Sequence, residues 1–178
     1  MNDSKQVILG EQVEDFELLD MRGMSHGLSQ YRGELVVIVF WSAECPVSAE
    51  YDAYFNGLLE HHADRQVVIL GIDSNVHYGQ EEIAKAPAER GVRFPVLRDG
   101  DSTIADRFGA LTTPHVYIID SEGRLAYEGA VDDKTLRQPE ATVNYVDKAL
   151  AALLDGDTPP VQQTQPYGCT IVRYKGDD

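Results

Sequence analysis

Leu35-Val36-Val37-Ile38-Val39-Phe40-Trp41-Ser42-Ala43-Glu44-Cys45-Pro46-Val47-Ser48 is the stretch on which the fold turns. Its first six residues form an unbroken apolar run, the pattern of a central strand covered on both faces. Beyond it, Tyr51, Phe55, Leu58, Leu59 and His62 recur at three- and four-residue spacing and predict an amphipathic helix. Cys45 stands where the strand hands over to that helix. A thiol there meets unpaired backbone N–H groups and the positive end of the helix dipole, both of which favour the nucleophilic thiolate. An isolated cysteine is otherwise a small buried hydrophobe; the junction turns that reading around and makes Cys45 a candidate reactive group.

Working outward, Val67-Val68-Ile69-Leu70-Gly71-Ile72-Asp73 reads as a second buried strand, so strand, helix and strand form a parallel βαβ unit with a right-handed crossover. A helix is expected from Gln80 to Arg90, ended by Gly91. A short one from Ser102 to Phe108 is stopped by Gly109. Residues 116–120 and 124–129 flank Ser121-Glu122-Gly123, a hairpin signal. Between Glu140 and Leu154, the residues Val143, Val146, Leu150, Leu153 and Leu154 mark a last helix, with Gly156 placed to end it. Phe16-Glu17-Leu18-Leu19-Asp20 with Gly23 suggests a hairpin ahead of the main unit. The tail from Asp157 to Asp178 holds Pro159, Pro160 and Pro166 and is expected to be extended, with no packed core of its own.

The 178 residues suit one domain with a good core, and no window is long and apolar enough to span a bilayer. A net charge of −15 argues against nucleic acid or anionic membrane as a partner. It also sets a negative field around any thiolate, which local donors must overcome. Glu11, Glu14, Asp15, Glu17 and Asp20 read as solvated surface. Met1-Asn2-Asp3-Ser4-Lys5 lacks the charged-then-apolar pattern of a secretory signal, so the sequence as it stands predicts a cytoplasmic protein, or a periplasmic one if a leader has been removed. The two cysteines, Cys45 and Cys169, have neither zinc spacing nor the density of a disulfide scaffold, which leaves redox chemistry or two inert thiols.

A cysteine at the first strand–helix junction of a βαβ unit that is followed by helices, a hairpin and a last helix is the thioredoxin arrangement, and the residues carry that resemblance. Phe40-Trp41-Ser42-Ala43-Glu44-Cys45-Pro46 resembles the active-site entry of thioredoxin-like redoxins, and Thr112-Thr113-Pro114 resembles their Thr-Pro loop, whose proline is cis. Upstream, Gly10 through Leu18 and then Leu28-Ser29-Gln30-Tyr31-Arg32-Gly33-Glu34 resemble the redoxin lead-in. Downstream, residues 127–133 and Gly168-Cys169-Thr170-Ile171 are similar to a redoxin subgroup related to peroxiredoxins. The resemblance spans nearly the whole chain. It implies an α/β thioredoxin fold, a central mixed β-sheet flanked by helices, with an N-terminal β-hairpin addition and a C-terminal extended tail. The redoxin domain would be residues 1–156, and 157–178 the tail carrying Cys169, packed on that domain.

By the same resemblance the activity is thiol–disulfide exchange on a protein thiol or disulfide, with an external thiol reductant and no cofactor or metal. Cys45 would be the nucleophile, and Trp41, Ser42, Glu44, Pro46, Ser48, Thr113 and Pro114 would contact substrate. One departure matters most: thioredoxins carry a second cysteine three positions after the first, where this chain has Ser48. Cys45 can then attack a disulfide but cannot release the mixed disulfide alone, so either an external thiol or Cys169 resolves it. About twenty extended residues span several tens of ångströms, enough for Cys169 to return to Cys45.

Two alternatives stand beside this reading. A peroxiredoxin-like thiol-dependent peroxide reductase would have Pro seven and Thr or Ser three residues before its cysteine; Ser42 fits and Ile38 does not. A copper carrier would use Cys45, Cys169 and His115 as soft ligands, without a Cys-x-x-Cys motif to support it. Bland readings accompany the sharp ones: Trp41 as core, Glu44 as a solvated carboxylate at the helix start, and Ser48 as a first-turn residue able to bond the thiolate. His61 and His62 sit at a helix end, where cations complement the dipole, and His26 and His77 in loops.

Overall fold

A computed structural model describes residues 5–64, 66–76 and 80–173; His77 lies outside the described residues. Its main sheet has five strands in the order β5-β4-β3-β7-β8. Strands β3 (Leu35–Phe40), β4 (Val67–Asp73) and β5 (Val96–Arg98) run parallel, and β7 (His115–Ile119) and β8 (Leu125–Gly129) continue the sheet antiparallel. The unbroken apolar run of β3 has the expected cause. Val36, Ile38 and Phe40 face one core with Phe16, Phe108 and Tyr117, while Val37, Val39 and Trp41 face another with Phe55, Leu58, Val146 and Leu150. Every residue of β3 is buried, so a strand covered on both faces has no polar side. The architecture is the mixed α/β sheet expected from the sequence.

Around it lie the N-terminal hairpin of β1 (Glu17–Leu19) and β2 (Ser25–Gly27), the helices α1 (Pro46–Glu50), α2 (Asp52–His61), α3 (Gln80–Glu89), α4 (Thr103–Phe108) and α5 (Tyr145–Leu154), and a two-stranded ladder of β6 (Thr112–Thr113) with β9 (Cys169–Thr170). Three expectations need correction. The helix after Cys45 is two helices. Tyr51 breaks it, its N–H bonding the Ser48 carbonyl three residues back and its hydroxyl donating to Asp132 Oδ1 at 2.9 Å.

The last helix starts at Tyr145, not Glu140. Asp133 Oδ1 accepts the Thr142 and Val143 N–H groups at 2.8 and 3.1 Å and holds them in a loop, and Asn144 then caps the helix through the Asp147 N–H. This is the usual competition of short polar side chains with helix ladders. Thirdly, His26 lies in β2, not in a loop; its ring bonds Asp20 and Tyr31, each at 2.8 Å.

The tail is extended and held along its length. Glu128 exchanges backbone bonds with Gln162 and Thr164 at 2.9 and 3.0 Å. Gly129 makes this crossing possible: at φ +142° a Cβ would fall 2.5 Å from the Thr164 carbonyl oxygen. Further on, β9 lies on β6, and Ile171, 3% exposed, joins the core cluster that contains Phe108.

Candidate active site

Cys45 ends the loop between β3 and α1 and is itself the N-cap of α1, with Pro46 at the first helical position. Proline suits that place because its missing N–H is not needed there. The Ser48 N–H donates to Cys45 Sγ at 3.3 Å. The sequence allowed Ser48 a hydroxyl bond to the sulfur, but it is the backbone that contacts it. The Ser48 hydroxyl instead accepts the Ser42 N–H at 3.3 Å, and the Ser42 hydroxyl accepts the Glu44 N–H at 3.3 Å. Ser42 and Ser48 are buried, Glu44 and Pro46 exposed. Both hydroxyls therefore shape the turn that presents the sulfur.

The Thr113–Pro114 peptide is cis, as the resemblance implied. The Thr113 carbonyl oxygen lies 3.3 Å from Cys45 Sγ. Cys169 pairs with Thr113 across the β6–β9 ladder, and its sulfur is joined to that of Cys45 in a disulfide, the Cα atoms 6.1 Å apart, within the ordinary range for such a bridge. Cys45 is 4% exposed and Thr113 1%. Gly168 makes the approach possible: a Cβ on it would sit 2.1 Å from the Thr113 oxygen.

Beneath the turn lies a network that the sequence did not disclose. Trp41 is 1% exposed, a core residue, and its indole N–H donates to Asp52 Oδ1 at 2.9 Å. Arg90 grips the same carboxylate at 2.6 and 2.9 Å, donates to the Ser42 carbonyl, and lays its guanidinium 4.1 Å over the Trp41 ring. The fork-on-carboxylate geometry and cation–π contact suit arginine and not lysine. Asp52 is the first residue of α2 and Arg90 directly follows α3; each alone reads as a helix-end charge, so no local signal pairs them. Asp52→Ala is expected to cost about 3 kcal/mol, because it strips a mostly buried guanidinium of its carboxylate. Denaturant titration of the variant against wild type measures it.

His115 follows Pro114, but its ring packs 4.6 Å from that of Tyr117 and its Nδ1 accepts the Leu111 N–H at 3.2 Å. Burial pushes its pKa down to about 4. This geometry lends the copper reading no support: the Nδ1 lone pair is used, and the described residues hold no group of three or more His, Cys, Asp or Glu side chains placed to bind a metal. The depressed pKa predicts a pH dependence. The unfolded chain takes up a proton near the ordinary value of 6.5 and the native state only near 4, so stability falls as pH drops through that window. The loss approaches about 2–3 kcal/mol at its acid end. Urea unfolding of wild type and His115→Asn between these pH values should show the slope in the first and a shallower one in the second.

Comparison with known proteins gives a consistent picture. The family model described as AhpC/TSA family matches residues 9–128. The thiol-disulfide oxidoreductase ResA of Geobacillus thermodenitrificans (strain NG80-2) is 29% identical over 119 residues, covering 67% of this chain and 67% of its own. Among solved structures, a hypothetical protein of Sinorhizobium meliloti 1021 superposes with a TM-score of 0.85 at 25% identity, over 97% of this chain and 98% of that one. An uncharacterized conserved protein of Geobacillus kaustophilus gives 0.80 at 27%, over 97% and 95%.

Proposed function

The chain belongs to the AhpC/TSA family, and from that membership and the geometry above we propose that it is a thiol–disulfide oxidoreductase in which Cys45 attacks and Cys169 resolves. The observation that carries the reading is the Cys45–Cys169 disulfide, set against the cis-Pro114 loop. In the reduced protein the Ser48 N–H and the start of α1 favour the Cys45 thiolate. That thiolate attacks a substrate disulfide, forms a mixed disulfide and expels one substrate thiolate. The Cys169 thiolate then attacks the Cys45 sulfur, closes the internal disulfide and expels the second substrate thiolate. Two electrons pass to the substrate, and an external thiol restores both cysteines. Trp41, Ser42 and Ser48 hold the turn, while Glu44, Pro46 and the Thr113-Pro114 loop border the place where substrate meets the sulfur. The proposed division is a redoxin domain through residue 156 and a tail that supplies Cys169.

Peroxide reduction is the second reading, supported by Ser42 three positions before Cys45. The same two cysteines would serve: the Cys45 thiolate takes an oxygen from peroxide, and Cys169 condenses with the sulfenic acid to release water. Against it, Ile38 occupies the position of the peroxiredoxin proline, fully buried in β3. Parallel assays with a dithiol reductant test the choice. Faster turnover of protein disulfides than of hydrogen peroxide upholds the exchange reading, and the reverse order overturns it. The substrate, whether protein thiol, disulfide or peroxide, reaches a protein in which no helix among the described residues could cross a membrane.

A further inference from the structure

The tail does more than deliver a thiol. Among the described residues, β6 pairs with no strand but β9, so the backbone edge that adjoins Cys45 is filled by the chain's own segment. Each position of that segment meets a different constraint. Gly168 passes so close to Thr113 that a Cβ would lie 2.1 Å from the carbonyl oxygen and 2.7 Å from the carbonyl carbon, both backbone atoms. Cys169 is bonded to Cys45. Thr170 is exposed and pairs with Thr112 through backbone alone. Ile171 is 3% exposed, its side chain in the core and its N–H on the Leu111 carbonyl at 3.0 Å.

Val172 is 59% exposed, yet its N–H donates to Asn75 Oδ1 and its carbonyl accepts the Val76 N–H, both at 2.8 Å. Arg173 reaches Asp106 Oδ1 at 2.7 Å and also the Ala110 carbonyl. Backbone bonds hold the strand, and alternate side chains select it, the logic of strand-addition recognition.

Resting on the exchange reading above, we propose that this slot is the substrate site, that its substrates are extended protein segments of the pattern Gly-Cys-x-aliphatic-x-basic, and that the oxidised tail occupies it as a stand-in for them. The pattern follows from the contacts. Only glycine clears Thr113 before the cysteine, an aliphatic residue two places on replaces Ile171 in the core, and a basic residue four places on meets Asp106. Asn75 is the residue that reads the incoming backbone. The excess of acidic groups on this chain favours the same basic segments. A dithiol reductant that converts the Cys45–Cys169 disulfide to two thiols, and is itself oxidised to a disulfide, frees the tail to leave. The substrate cysteine, held as a disulfide with another thiol, then takes the place of Cys169 on Cys45 and expels that thiol.

The test uses the full chain as Cys169→Ala, and as Gly168→Val/Cys169→Ala, whose tail can no longer lie on Thr113. Each is offered a peptide of residues 166–173 with its cysteine as a mixed disulfide to thionitrobenzoate, and the same peptide with Gly168→Val or Ile171→Asp. Rates are normalised to the reactivity of each peptide with free cysteine. The matched peptide should transfer to Cys45 at least about tenfold faster than either altered one, equivalent to about 1.4 kcal/mol, and faster in the double variant than in the single. Equal rates for the three peptides overturn the inference. So does failure of the matched peptide with both variants while wild type still turns over protein disulfides; in both cases the exchange reading survives. Wild type that turns over no protein disulfide overturns that reading itself, and the inference with it.

Discussion

Cys45→Ser is expected to reduce protein-disulfide turnover to the uncatalysed rate, a loss of at least about three orders of magnitude. A serine hydroxyl is not ionised at neutral pH, and the Ser48 N–H and the helix start that favour a thiolate cannot produce an alkoxide there. The replacement is close in size and sits at an N-cap, where serine is favoured, so the turn is retained although the internal disulfide is lost. Cys169→Ser should behave differently. Its first attack survives: about one equivalent of leaving thiol is released at the wild-type rate, and then Cys45 remains capped as a mixed disulfide that intact-mass measurement detects. Steady-state turnover at the wild-type rate in Cys169→Ser, with no capped species, would show that an external thiol resolves Cys45 and would remove Cys169 from the cycle.

The second large effect is on stability. The disulfide closes a loop across a sequence separation of 124, and the chain-entropy model gives about 5 kcal/mol for a loop of that size. Reduction also releases the pairing of β9 with β6 and exposes Ile171, about 2 kcal/mol more if its side chain leaves the core fully. Denaturant titration with and without a dithiol should show a correspondingly lower midpoint in the reduced protein. The Cys45→Ser/Cys169→Ser variant should resemble the reduced state and should not respond to the dithiol. A drop limited to the chain-entropy contribution would show that the tail stays docked through its hydrogen bonds and Ile171, and coincident midpoints would show that the sulfur bridge adds no net stability.

The parts of the structure legible in the sequence were those governed by local periodicity. The all-apolar run of 35–40 announced a doubly covered strand. Ser121-Glu122-Gly123 announced a hairpin, and Gly91 and Gly109 marked helix ends, each observed at positive φ. Misreadings came where a side chain far along the chain overrode a local pattern. The apolar stripe of the last helix extended back to Val143, but Asp133 had already claimed the amides of 142 and 143. The stripe through Tyr51 likewise continued across a helix break.

At the site, the turn residues could be placed because they are consecutive. Asp52, Arg90 and Asn75 could not, because each acquires its role only when separate elements meet. Gly168 carries a further signal beyond its place in the redoxin-like tail. A glycine directly before the second cysteine marks a close backbone approach, and it contacts the very loop that the sequence had set beside Cys45.

The same disulfide sets how the chain carries tension. A pull applied to the chain on either side of the bridge passes from residue 169 straight across to residue 45, at the start of α1. Everything between them, from α1 to the first part of the tail, is a closed ring that cannot be drawn out while the sulfur bond holds. Outside that ring, the lead-in with the N-terminal hairpin and β3 on one side, and the chain after Cys169 on the other, can be drawn out. Reduction changes the protein from one whose contour is mostly locked to one whose whole length can be extended, and it does so by breaking a single bond.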